Sequence, residues 1–125
     1  KIDAMLHGLG FTDDQFALKV SALSGGQKGR LGLARLLLEE PDLLLLDEWL
    51  AGLNPTELEE GIALIRSLSG QGITILLVEH VMDAVRALCD RCVVMRTGTK
   101  LAEGATAEVL ADPAVVDAYL GRAHA

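Results

Sequence analysis

Aromatic residues are scarce in this sequence, and long apolar runs are missing from it. Its 125 residues include one Trp, one Tyr and two Phe, so a folded core must be built mainly from Leu, Ile, Val and Ala. No segment approaches the roughly 20 consecutive apolar residues that a membrane-spanning helix needs, and no N-terminal signal pattern is visible. The sequence therefore predicts a chain without a membrane span of its own, with room for one domain with a modest core.

Positive charge is also in short supply. The chain carries 11 Lys and Arg residues against 18 Asp and Glu residues, which gives a formal net charge of −7. Surfaces that bind nucleic acid need clustered Lys and Arg side chains to contact the phosphates. We therefore expect no nucleic-acid partner.

Cysteine is limited to Cys89 and Cys92, spaced as C-x-x-C. A structural zinc site needs four ligands, and the sequence offers no second Cys/His pair. A redox C-x-x-C places its first cysteine at the start of a helix, whereas Cys89 is predicted to end a helix and precede a strand. We expect two ordinary reduced cysteines, in keeping with a cytosolic compartment.

Two continuous apolar runs, 43–46 and 73–78, are the main structural signal. Runs without alternation are typical of strands that are buried on both faces of a parallel sheet. Between them, Asn54, Pro55 and Glu57 supply an N-cap, a proline in the first turn and a glutamate at the third helical position. The order strand, helix, strand predicts an α/β fold in which a right-handed crossover places both strands in one sheet.

Weaker patterns cover the rest of the chain. Thr12 and Gln15 are spaced as a capping box, and Thr97-Gly98-Thr99 is typical of a turn between two strands. The remaining predictions are helices at 1–7, near 13–18 and at 26–39, a helix after His80, strands at 92–95 and near 100–103, and two small C-terminal helices.

An acidic pair, Asp47 and Glu48, directly follows the first apolar run. Ligands bind at the carboxyl edge of the sheet in open α/β folds, and neighbouring strand residues point to opposite sides, so the two carboxylates can take different roles. Asp47 can hold Mg²⁺ directly or through water, and Glu48 can orient and polarise an attacking water in phosphoryl transfer. The alternative is a surface acidic pair at the end of a strand.

A glycine-rich turn, Ser24-Gly25-Gly26-Gln27, opens the helix predicted at 26–39. Glycines let the backbone approach an anion closely, and a helix start offers free N–H groups and a positive dipole end. The Ser24 hydroxyl adds a donor for a phosphate oxygen. The alternative is a turn without a ligand.

His80 follows the second apolar run and Glu79, which predicts a position at the same sheet edge. From there it can reach the phosphate that Glu48 serves and act as a hydrogen-bonding switch. The alternative is a histidine that caps a helix. His7 and His124 have no such setting, and we expect both to be solvated.

The order of these motifs resembles that of the ATP-binding-cassette (ABC) family of ATPases. The motifs are, in sequence order, Leu23-Ser24-Gly25-Gly26-Gln27, four leucines followed by Asp47-Glu48, and a strand followed by His80. The resemblance extends over most of the chain, and it implies the C-terminal part of a P-loop NTPase fold with a parallel-sheet core and flanking helices. It implies three segments: 1–40, the end of the helical subdomain with the signature loop and signature helix; 41–104, a RecA-like α/β core; and 105–125, small C-terminal helices.

The resemblance assigns a role to each motif. The signature loop, residues 23–27, would contact the γ-phosphate of ATP held by a second ATPase subunit. Asp47 matches the Walker B aspartate associated with Mg²⁺, Glu48 the catalytic glutamate and His80 the switch histidine. Asn54 falls in the D-loop, which crosses the dimer interface. ATP and Mg²⁺ are the implied cofactors.

The sequence is also similar, at a finer level, to importers of the branched-chain amino-acid type. This similarity lies in residues 51–57, Val78-Glu79-His80 and residues 116–121. It implies an ATP-hydrolysing importer subunit that pairs with another ATPase subunit and with membrane permease subunits. Such a subunit is cytoplasmic and peripheral on the inner face of the cell membrane.

Three positions depart from the family pattern. Trp49 stands where proline is usual after the glutamate, Val81 where aspartate is common after the histidine, and Lys28-Gly29 where two long polar residues are usual. A large indole beside the catalytic carboxylate can change its aim, and errors of about 1 Å can cost about 100-fold in rate.

The phosphate-binding motif G-x-x-x-x-G-K-[ST] is absent from the sequence. Since that loop holds the β- and γ-phosphates, we expect this chain alone to lack ATPase activity. The chain begins at Lys1 rather than at Met, and we expect it to be part of a longer protein. In the family, the strand leading to the loop lies between those at 73–78 and 92–95, so we also expect a gap in the sheet with two apolar edges that invite pairing with another chain.

Two other interpretations stay open. ATPases of the DNA-repair or chromosome type carry a similar signature, although they insert long heptad helices that this sequence does not contain. The other is a non-enzymatic interaction protein that retains the ABC fold without a nucleotide.

Overall fold

A computed structural model describes residues 1–120, which form two compact units divided between Glu79 and His80. The first unit contains α1 (Ile2–Gly8), α2 (Gly25–Leu37), β1 (Leu43–Asp47), α3 (Pro55–Gly70) and β2 (Thr74–Val78), with 3₁₀ turns at Asp13–Gln15 and Val20–Ala22. The second unit contains α4 (Met82–Leu88), β3 (Arg91–Arg96), β4 (Thr99–Ala105), α5 (Thr106–Ala111), α6 (Pro113–Val115) and a π-helical turn at Val116–Leu120.

The two apolar runs form parallel strands, as the sequence predicts. Leu45 of β1 pairs with Leu76 of β2, and Asp47 pairs with Val78, so both strands end at the same edge. Helix α3 connects them and begins where predicted, since Asn54 Oδ1 accepts from the Glu57 amide at 2.9 Å and the Asn54 amide donates to Glu57 Oε2 at 3.2 Å. The predicted α/β fold with a parallel sheet is confirmed.

Burial on both faces of this sheet, however, is a wrong prediction. Leu44 and Leu46 are 4% and 5% exposed, whereas Leu43 and Leu45 are 56% and 60% exposed. The buried face packs on α2 and α3, through a core shared by Leu33, Ala34, Leu44 and Leu68. Within the first unit, all of which is described, no segment covers the opposite face, which also exposes Leu76 and Val78.

The helix predicted near 13–18 is also shorter than expected. It is a single 3₁₀ turn at Asp13–Gln15, capped as predicted by a bond from the Thr12 amide to Gln15 Oε1 at 2.9 Å. Leu9 and Phe11, on either side of Gly10, are buried in the core of the first unit. The chain is therefore anchored by these two apolar side chains before the turn rather than by a longer helix.

The second unit is built around an antiparallel hairpin of β3 and β4. Its turn residues Thr97 and Gly98 have φ angles of 50° and 77°, the left-handed pair that a two-residue hairpin turn requires. A small core of Val85, Val109, Leu110 and Val115 joins the hairpin to α4, α5 and α6. The strands predicted at 92–95 and near 100–103 are confirmed, with each strand extending beyond its predicted limits.

The structures of the two separate units leave two predictions untested. The expected gap in the sheet lies between strands of different units and stays a prediction, as does the division into segments 1–40, 41–104 and 105–125. Residues 121–125, the end of the predicted C-terminal segment, lie outside the described residues. None of the helices described in residues 1–120 is long and apolar enough to cross a membrane.

Candidate functional site

The acidic pair lies at the carboxyl edge of the parallel sheet. Asp47 is the last residue of β1 and is exposed, and Glu48 is the next residue and is also exposed. The Glu48 amide donates to the Val78 carbonyl at 2.8 Å, and the Ala51 amide donates to the Glu48 carbonyl at 3.1 Å. These two bonds fix the Glu48 backbone at the point where both strands end.

Glu48 adopts a left-handed backbone conformation with φ of 50°. A non-glycine residue in this region costs about 1–3 kcal/mol and persists only where the surrounding structure enforces it. The sequence predicted two neighbours on a strand that point to opposite sides, but β1 ends at Asp47. The two carboxylates are therefore separated by a turn of the backbone rather than by the pleat of a strand.

The donor chemistry of this edge fits Mg²⁺. In proteins Mg²⁺ is held by one or two carboxylates, with substrate phosphates and waters completing its octahedron. Asp47 and Glu48 are both exposed residues that carry a carboxylate. Residues 1–120 contain no group of three or more His, Cys, Asp or Glu side chains that could hold a metal ion by themselves.

The signature loop forms the start of α2. Ser24 is the N-cap: its Oγ accepts from the Gln27 amide at 3.1 Å, while the Ser24 amide donates to Gln27 Oε1 at 2.8 Å. This capping box was not predicted, although its S-x-x-Q spacing was readable in the sequence. The bond leaves the Ser24 hydroxyl proton and the amides of Gly25 and Gly26 as donors for an anion.

The residues on either side of Ser24 differ in exposure. Leu23 is 9% exposed and belongs to the core of the first unit, whereas Ser24 and Gly25 are exposed. Leu23 therefore anchors the loop, and the two residues after it face solvent. The first unit thus presents an exposed acidic pair and an exposed, glycine-rich helix start.

The structure gives less information on the other two predicted site residues, Asn54 and His80. Asn54 is exposed, and its side chain caps α3. Its place in a dimer interface stays a prediction. His80 is exposed and is the first residue of the second unit, so its relation to Glu48 stays a prediction too.

Cys89 and Cys92 occupy the predicted positions, after α4 and within β3. Burial raises the pKa of the Cys89 thiol above its ordinary value, and the neighbouring Cys92 and Asp90 raise it further. Reactive C-x-x-C motifs lower this pKa instead. The environment of Cys89 therefore does not favour redox chemistry.

A pH profile of alkylation tests this environment. Because a raised pKa leaves less thiolate at a given pH, we expect the iodoacetamide reaction of Cys89 in Cys92→Ser protein to reach its half-maximal rate at a higher pH than a cysteine in a short peptide. Burial is the largest cause of the raised pKa and remains in this variant. A midpoint at or below that of the peptide would contradict the assignment, whereas steric shielding alone would lower the rate without moving the midpoint.

Sequence comparisons identify the relatives of this chain. Residues 1–51 match the family model described as ABC transporter, and residues 99–125 match the model described as branched-chain amino acid ATP-binding cassette transporter. The chain is 38% identical over 114 residues to the methionine import ATP-binding protein MetN 2 of Yersinia pestis, covering 90% of this chain and 34% of that protein. It is 43% identical to the high-affinity branched-chain amino acid transport ATP-binding protein BraF of Pseudomonas aeruginosa, covering 81% of this chain and 40% of BraF.

A solved structure matches the fold. The ADP conformation of MJ1267, an ATP-binding cassette of an ABC transporter, superposes with a TM-score of 0.83 at 32% identity, covering 97% of this chain and 49% of that one. The chain thus spans between about a third and a half of the length of these relatives. The signature loop and the Asp47-Glu48 pair lie within the region matched by the first family model. The chain belongs to the ATP-binding-cassette family of transporter ATPases.

Proposed function

We propose that this chain forms part of the ATP-hydrolysing subunit of an ABC importer. The observation that carries the proposal is the exposed acidic pair at the carboxyl edge of the parallel sheet, in the same compact unit as a capped, glycine-rich helix start. One feature supplies carboxylates for Mg²⁺ and water, and the other supplies donors for a phosphate. Together they account for the two kinds of group that phosphoryl transfer to water needs.

Glu48 takes the role of general base. Its backbone is fixed by the bonds to Val78 and from Ala51, so the carboxylate projects from a defined turn. It accepts a proton from the attacking water as the water oxygen bonds to the γ-phosphorus, while the bond from that phosphorus to the bridging oxygen of the β-phosphate breaks and ADP leaves. Asp47 would hold Mg²⁺, which would neutralise charge on the phosphate oxygens. His80, directly after Glu79, donates a hydrogen bond to the γ-phosphate when the nucleotide is bound.

The signature loop serves a nucleotide held by a second ATPase subunit. The amides of Gly25 and Gly26 lie in the first turn of α2, where the helix dipole favours an anion. Asn54, which is part of the D-loop, lies in the interface between the two ATPase subunits. Two subunits then complete each other's sites, which makes hydrolysis dependent on dimerisation.

Amino acids are the proposed class of solute. Two relatives named above carry import or transport of amino acids in their names, one for methionine and one for branched-chain amino acids. The match of residues 99–125 to the branched-chain model favours the latter class. Membrane permease subunits are the proposed partners, with the ATPase peripheral on the cytoplasmic face of the membrane.

Phosphate release from MgATP tests this proposal. We expect a complete subunit, containing this chain together with a phosphate-binding loop, to hydrolyse MgATP with a rate per subunit that rises with protein concentration. The 125-residue chain alone should release no phosphate above the background of its own Glu48→Gln variant, because it contains no G-x-x-x-x-G-K-[ST] motif. Turnover by the chain alone, or none by the complete subunit, would contradict the proposal.

A further inference from the structure

The indole of Trp49 lies between two helices of the first unit. A methyl group placed on Gly29 of α2 would lie 3.4 Å from Trp49 Nε1. One placed on Gly61 of α3 would lie 3.8 Å from Trp49 Cζ3 and, closer still, 2.7 Å from Cδ2 of the next residue, Leu50. The indole is partly buried and packs against the core that includes Leu33 of α2 and Leu68 of α3. It therefore contacts both helices at positions where each lacks a side chain.

An ion pair joins the same two helices beside this contact. Arg30 Nη2 lies 2.8 Å from Glu60 Oε2, and the Arg30 side chain is only 22% exposed. Arg30 follows Gly29 in the sequence, and Glu60 precedes Gly61. A charged contact as well as packing thus joins α2 and α3 beside the indole.

Trp49 is also bonded directly to the strained residue of the site. Glu48, with its φ of 50°, precedes it, and Leu50, which is 1% exposed, follows it. At the other end of the contact, Gly29 lies two residues after Gln27, within the first turns of the signature helix. The indole is therefore a physical link between the Glu48 turn and the helix that carries the signature loop.

We propose that Trp49 is a positioning residue that holds the Glu48 carboxylate in its productive orientation by seating its indole between Gly29 and Gly61. A left-handed glutamate keeps its conformation only if its surroundings enforce it, and the residues that follow it supply that enforcement through buried side chains. The inference rests on the proposed role of Glu48. It also links two departures from the family pattern, since the indole at position 49 lies beside position 29, where a long side chain would compete with it for space.

Steady-state kinetics of the complete ATPase subunit test this role. We expect Trp49→Ala to lower kcat about 10- to 100-fold, as misplacement of a catalytic group by an ångström does, with KM for MgATP within about twofold of wild type because no nucleotide contact is removed. Trp49→Phe, which retains an aromatic ring in the same space, should restore most of kcat. Equal losses in Trp49→Phe and Trp49→Ala, or a rise in KM without a fall in kcat, would overturn the proposal.

Two glycines of α2 provide a matched pair that leaves Trp49 in place. A side chain added at Gly29 meets the indole, whereas nothing lies within 4 Å of one added at Gly32. Gly29→Gln should therefore lower kcat as Trp49→Ala does, and Gly32→Gln should leave it unchanged. Equal kcat in the two glutamine variants would show that the contact does not position Glu48, and this comparison decides the matter if Trp49→Ala does not fold.

Fluorescence separates displacement of the indole from a general loss of structure. Trp49 is the only tryptophan of the 125-residue chain, so the tryptophan emission of this chain reports the environment of that indole. Gly29→Gln should shift the emission maximum to longer wavelength, and Gly32→Gln should not. The Glu48→Gln variant distinguishes failure of this inference from failure of the proposed function. If Glu48→Gln keeps wild-type turnover, the proposed role of Glu48 is wrong. If Glu48→Gln loses turnover and Trp49→Ala keeps wild-type kcat, only the role of Trp49 is rejected.

Discussion

Replacing Glu48 with glutamine should reduce MgATP hydrolysis by the complete subunit about 100- to 10,000-fold, the range that a positioned general base contributes. Glutamine preserves the size and the backbone bonds to Val78 and Ala51, because these bonds use main-chain atoms. It removes the negative charge that accepts the proton of the attacking water. Phosphate release under single-turnover conditions measures the effect on chemistry directly.

Binding should survive the same substitution. We expect Glu48→Gln protein to bind MgATP and to dimerise on binding, which size-exclusion chromatography with and without ATP detects. Glu59→Gln is a suitable control, because Glu59 is an exposed carboxylate on α3 outside the proposed site. Hydrolysis retained by Glu48→Gln would show that another group is the base, and equal losses in both variants would point to a change in charge rather than in chemistry.

The second large effect concerns stability. Leu44→Ala should lower the free energy of unfolding of the first unit by about 2–5 kcal/mol, the usual cost of removing a buried leucine side chain. Leu44 is 4% exposed, whereas its neighbour Leu45 is 60% exposed, so Leu45→Ala should change this free energy by no more than about 0.5 kcal/mol. Urea titration followed by the emission of Trp49, which lies in the same unit, measures both.

This pair of variants also examines the arrangement of the sheet. The two leucines share a strand and a residue type and differ only in the face to which they belong. Equal destabilisation at the two positions would mean that both faces are covered in solution, as the continuous apolar run suggested. Repeating the titration at several protein concentrations would then distinguish association between chains from cover within one chain.

The sequence predicted those elements whose signals are local. The start of α3 was readable because Asn54, Pro55 and Glu57 act on the first turn of their own helix, and both capping hydrogen bonds are present. The parallel pairing of β1 and β2 followed from two apolar runs separated by one helix. The position of the acidic pair at the sheet edge followed in turn from the end of the first run.

Features that depend on distant residues were not predictable in this way. An apolar run does not reveal whether one or both faces of a strand will be covered, because that depends on which other segments are present. Glycine at positions 29 and 61 had no local explanation. A side chain added at position 29 would meet the indole of Trp49, and a methyl group at position 61 would lie 2.7 Å from Leu50 Cδ2, so both positions depend on a third segment of the chain. The hydrogen bond of the Glu48 amide likewise needs the carbonyl of Val78, thirty residues away in the chain.

The reciprocal bonds between Ser24 and Gln27 have a consequence for the thermodynamics of the signature loop. Because each residue already satisfies the other's amide, the start of α2 is ordered without any ligand. A phosphate that binds there pays little conformational entropy for loop ordering, so more of its interaction with the outward amides remains as affinity. If the loop binds a phosphate of another molecule, as proposed, preorganisation of this kind means that this short stretch of backbone would not have to fold around it first.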